Sequence, residues 1–110
     1  MAATNITRHK YTLSFGSSDT SKSKSVSFIG KIEQIHLRVP NWTNTVTGTL
    51  TIEDVDGYEI YNSGAKDQNA NYNIDREQLV PANSKVIFTL SGAPGGSGGD
   101  VVVVFLLHGE

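Results

Sequence analysis

The side chains here that could carry chemistry are three histidines, a knot of carboxylates, a glycine-rich stretch and a few aromatic rings. His9, His36 and His108 lie far apart in segments of strand character. None has the close spacing with which side chains converge on a zinc ion. A Ser–His–Asp arrangement would have to be assembled in three dimensions, because no G-x-S-x-G elbow supports it. Asp54, Asp56 and Glu59 are the best carboxylate cluster. Together with backbone carbonyls they make a weak calcium candidate, without the regular oxygen offsets of an EF-hand loop. The simpler reading is a turn in which Asp56-Gly57 supplies positive φ. Ser91 to Asp100 superficially looks like a phosphate cradle but lacks the Lys-Ser/Thr of a P-loop. It reads instead as a flexible hairpin connection that becomes ordered on contact with a neighbour. Trp42, Tyr58, Tyr61 and Tyr72 could line a sugar or a partner, and Trp42 serves equally as a core plug or an interface anchor. No catalytic constellation and no cofactor site emerges.

Bulk composition narrows the field further. The chain has 110 residues, one domain's worth. Charged residues make up 18%, and Ser, Thr, Asn and Gly supply much of the polarity, a mix that suits strands and turns. With a net charge of −2 the chain is not expected to bind nucleic acid, which needs a basic surface. The charge is uneven: residues 1–40 carry six cations and two acids, residues 41–110 three cations and nine acids. Head-to-tail contact between copies would use that asymmetry; scattered surface charge worth little is the plainer reading. There is no cysteine, so disulfides and thiolate chemistry are excluded. No signal peptide and no membrane-length apolar run is visible.

The elements that must position these residues are strands, because the dominant period is two. Tyr11, Leu13 and Phe15 alternate with polar residues, and Gly16 to Lys24 reads as a mobile basic loop. The parity slip between Ile32 and Ile35 predicts a bulge near Glu33-Gln34, and Pro40 ends that strand. Thr45 to Glu53 is the clearest strand, followed by a turn at Asp54–Gly57 and a return strand from Tyr58 to Tyr61. Asn62 to Asn69 reads as loop, Tyr72 and Ile74 as a short strand, and Asp75–Leu79 as a possible helical turn stopped by Pro81. Val86, Phe88 and Leu90 mark another strand. Val101 to His108 is apolar on both parities and must sit centrally or be covered. The expectation is a single all-β domain, an antiparallel β-sandwich or jelly roll of about eight strands. Residues 1–25 hold a polar arm, the first strand and the basic loop; residues 26–110 hold the remainder of the sandwich.

Residues 47–61, Leu79-Val80-Pro81, Val86 to Leu90, the glycine-rich loop and the run Val101 to Phe105 together resemble small structural proteins of tailed bacteriophages. In particular they resemble capsid decoration (cement) proteins of the β-sandwich or jelly-roll type. The resemblance implies no catalytic residues. It implies a virion protein, often a homotrimer, that braces major capsid protein subunits at the capsid surface and is made in the host cytoplasm. Contact candidates are then the arm (Thr4, Ile6, Arg8, Lys10), the basic loop (Lys22, Lys24) and Trp42. A carbohydrate-binding module, a phage tail or adaptor subunit and a small hydrolase are the alternatives. No nucleic-acid or membrane partner is expected.

Overall fold

The computed structural model describes residues 5–109, with side chains for residues 7–107. The described residues form eight strands and no helix: β1 (Asn5–Phe15), β2 (Ser21–Ser25), β3 (Gly30–Val39), β4 (Gly48–Glu53), β5 (Glu59–Lys66), β6 (Ala70–Val80), β7 (Lys85–Leu90) and β8 (Gly99–Gly109). They pair into two four-stranded sheets, ordered β1-β8-β3-β6 and β2-β7-β4-β5, with every pair antiparallel. Only the β4–β5 connection stays within one sheet; every other connection crosses to the opposite one. This order is a jelly roll.

Alternation sets the faces. Leu50 and Ile52 of β4 and Val86, Phe88 and Leu90 of β7 point inward, while Thr49, Thr51 and Thr89 point out. From the other sheet Leu13, Phe15, Ile35, Leu37, Val101, Val103 and Phe105 complete the core. Gly48 occupies an inward position because the Phe88 ring fills the space where a Cβ would stand. β8 lies between β1 and β3, so both its edges are paired, as its composition requires. The bulge falls where the parity slips, between Ile32 and Gln34, and β3 ends at Val39 before Pro40.

Several segments differ from the sequence expectation. The basic loop is in part a strand: Ser21–Ser25 pairs with β7, and lysines on such an edge discourage further pairing. β4 begins at Gly48, leaving Thr45–Thr47 in the preceding connection. Asn62–Lys66 continues β5, where Ser63 Oγ accepts the Leu50 amide across a register shift. Asp75–Leu79 is strand, because pairing with β3 outweighs a weak local helical preference. The glycine-rich segment is neither a hairpin nor dependent on a neighbour for its anchoring. It crosses between sheets with Pro94 buried; Asn44 donates to the Pro94 and Ala93 carbonyls, and Gly95 donates to Ser17. Gly98, at φ 72°, lies where a side chain would strike the Phe15 carbonyl.

The connections gather at two ends. Residues 16–20, 40–47, 67–69 and 91–98 close one end, and residues 26–29, 54–58 and 81–84 lie at the other, beside the start of β1 and the end of β8.

Candidate interaction face

The outward side of the β1-β8-β3-β6 sheet is a lattice set by strand register. Arg8, Leu106, Gln34 and Asp75 form one row across the sheet. Lys10, Val104, His36 and Asn73 form the next, and Thr12, Val102, Arg38 and Asn71 the third. Down the middle runs an apolar stripe, Val102, Val104 and Leu106, because β8 is apolar on both parities. Long polar side chains flank it, so Val104 is only 5% exposed although it points outward. A shallow concavity of about 270 Å³ lies over β3, lined by His36, Arg38, Val102, Val104, Asn71 and Asn73.

The polar rim is partly tied down. Gln34 Nε2 donates to Asp75 Oδ1 at 2.6 Å, and Gln34 Oε1 lies 2.7 Å from His36 Nε2. Arg8, Lys10 and Arg38 form no ion pair among the described residues. The face therefore sets an apolar centre among Arg8, Lys10 and Arg38, with Asp75 and Asp100 at its margins, a composition closer to that of a protein-contact surface than of a reaction centre.

The β4–β5 turn has the opposite character. Asp54 Oδ1 accepts the amides of Asp56 and Tyr58, and Gly57 takes φ 82°. The tip thus holds Val55 and Tyr58 out in solvent, 66% and 70% exposed, among Asp54, Asp56 and Glu59. These carboxylates do not gather as a calcium site would require: among the described residues no three His, Asp or Glu side chains are placed to hold a metal ion. Glu59 instead accepts from the Asn62 amide.

The contact candidates scatter. Thr4 lies outside the described residues, and so does the side chain of Ile6. Arg8 and Lys10 stand together on the face above. Lys22 and Lys24 lie on β2, in the opposite sheet, with Lys22 paired to Asp19 at 3.3 Å. Trp42 takes the core position its type allowed: it is 2% exposed and packs edge-on against Phe15 with centroids 5.6 Å apart. Its apolar bulk places it in the core, although Nε1 has no acceptor among the described residues. The aromatic platform for a sugar is dispersed as well. Tyr61 is buried beneath Arg76, and Tyr72 is half-buried with its hydroxyl on the Asp67 carbonyl. Sequence reasoning weighed His36 only for metal or triad chemistry, and it did not name Arg38 or the outward valines as contacts. The signal for them was the double-parity run of β8, which must show an apolar side somewhere.

The described residues thus form an eight-stranded jelly roll whose β1-β8-β3-β6 sheet carries an apolar stripe between cations on its outer face. No protein-family model matches the chain, and no curated protein matches it. Solved structures do. The SPBc2 prophage-derived protein YomS is similar over 96% of this chain and 98% of its own, at 12% identity and a TM-score of 0.64. A chain of the cyanophage Pam1 capsid asymmetric unit is similar over 98% and 91%, at 20% identity and 0.62. A chain of the capsid of Helicobacter pylori bacteriophage KHP30 is similar over 98% and 99%, at 12% identity and 0.54. At these identities the likeness establishes the shared fold.

Proposed function

We propose that this chain is a virion structural protein, a capsid decoration protein that binds the major capsid protein of an assembled phage head, works as a homo-oligomer such as a trimer, and turns over no substrate. The observation that carries this reading is the apolar stripe rimmed by unpaired cations on the β1-β8-β3-β6 sheet. Such a face suits a protein partner. The size of the capsid neighbours supports the reading: this chain spans at least nine-tenths of the matched Pam1 and KHP30 chains, so each is itself about one jelly-roll domain in length. A protein that binds the assembled shell and not its free subunits stabilises the shell by mass action. Many copies on one particle reinforce one another.

The test is co-sedimentation with empty phage heads lacking the protein. Saturable binding, with a fixed number of copies per head and a raised temperature of head disruption, is the expected result. Heads that sediment bare at saturating protein would overturn the decoration reading, and binding to tails alone would reassign the chain to a tail or adaptor role.

A further inference from the structure

The two surface features described above are complementary. The hairpin tip carries two exposed apolar side chains, Val55 and Tyr58, set among acids. The outer sheet carries an apolar stripe set between cations on β1 and β3. From these we infer that the β4–β5 tip of one copy docks on the β1-β8-β3-β6 face of a second copy of this chain.

Charge complementarity selects this occupant. Glu53, Asp54, Asp56 and Glu59 crowd into seven residues at the tip, and none forms an ion pair among the described residues. Arg8, Lys10 and Arg38 are likewise unpaired on the receiving face. Matched surfaces of this kind steer encounter and fix orientation, while like-charged placements are penalised. The apolar pieces match as well. Tyr58 brings a large ring held by a stiff turn, at low entropy cost on docking. The concavity over β3 is lined by Val102, Val104 and Arg38, which offer apolar methyls and a guanidinium to an incoming ring. Tip and face are different patches, so a contact made in one direction only is heterologous and leaves a free tip and a free face at the two ends of any open assembly.

The inference rests on the reading of this chain as a self-associating virion protein and names the surfaces involved. Light scattering across a dilution series tests it with two exposed charge reversals, Arg8→Glu with Lys10→Glu on the face, and Asp56→Lys with Glu59→Lys on the tip. Wild type should exceed the 11.9 kDa monomer mass. Each reversed variant alone should raise the dissociation constant by about two orders of magnitude or more. An equimolar mixture of the two should associate again, because each reversed surface then meets a matching one. Tyr58→Ser, which leaves every charge in place, should weaken association too. Reversed variants that keep the wild-type mass, a mixture that stays monomeric, or a monomeric wild type would overturn the contact. Head binding is read separately. A protein that self-associates in this way but ignores heads overturns the capsid reading alone, and one that binds heads while the reversals change nothing overturns this contact alone.

Discussion

Tyr61 closes the side of the sandwich where β5 and β6 stand in different sheets, with the Arg76 guanidinium 5.6 Å from its ring centroid. Burial pushes its phenol above the ordinary value of 10.0, and the nearby Arg76 cation pulls more weakly the other way. The raised folded-state pKa fixes the sign. Below pH 10 both states keep the proton and the contribution is complete. As pH rises through the unfolded value toward the folded one, the unfolded chain ionises first and stability falls. Tyr61→Phe should therefore show a shallower loss of unfolding free energy above pH 10 than wild type, read by urea titration at several pH values. A residue such as this one is legible in a sequence as aromatic and alternating, but its environment is not. Trp42 makes the same point: its type allowed core or interface, and only the closure of the residues 40–47 connection over Phe15 decides for the core. The bulge near Glu33-Gln34 and the turn at Asp54–Gly57 were legible, because a parity slip and a positive-φ turn are local facts.

Among the elements, those with an apolar inward row were readable and those without one were not. β4, β7 and β8 announced themselves through alternation or through a double-parity run. β2, the second half of β5 and the second half of β6 did not, because each is an edge strand held mostly by backbone pairing, to which polar side chains are indifferent. The connections were least legible, since their bonds join segments distant in sequence. Gln68 is the clearest case. Its side-chain oxygen accepts the Val46 amide at 2.9 Å, and its amide donates to the Trp42 carbonyl at 3.0 Å and to Asn41 at 3.1 Å. One side chain thus ties the 67–69 connection to the long one from residue 40 to 47. Gln68→Ala leaves these partners without it and should cost about 1–3 kcal/mol in urea unfolding. Asn69→Gln, by contrast, should change little beyond the strain of its positive φ, because Asn69 contributes a backbone bond to Pro40. The outer face of the β1-β8-β3-β6 sheet was half legible for a related reason. Arg8 and Lys10 were candidates, but only sheet order reveals that Arg38 lies across the same valines.

For the whole molecule, the pairing of β1 with β8 brings residue 5 opposite residue 109. Register partners in an antiparallel ladder stand only about 5 Å apart. Residues 5–109 thereby nearly close on themselves, and where their covalent thread is interrupted is a matter of choice as far as the sandwich is concerned. A circular permutant that bridges residues 109 and 5 with a short flexible linker, and opens between Asp56 and Gly57, should still fold, since exposed turns tolerate new ends. Its far-ultraviolet spectrum and cooperative melting should remain those of a β-sandwich. Loss of cooperative unfolding would mean that the hairpin turn is needed to assemble the sheets. The same cut frees the tip that carries Val55 and Tyr58, so this permutant should be a folded domain that no longer recognises its own kind. Fused cargo at its new ends would then emerge where a neighbour would otherwise sit.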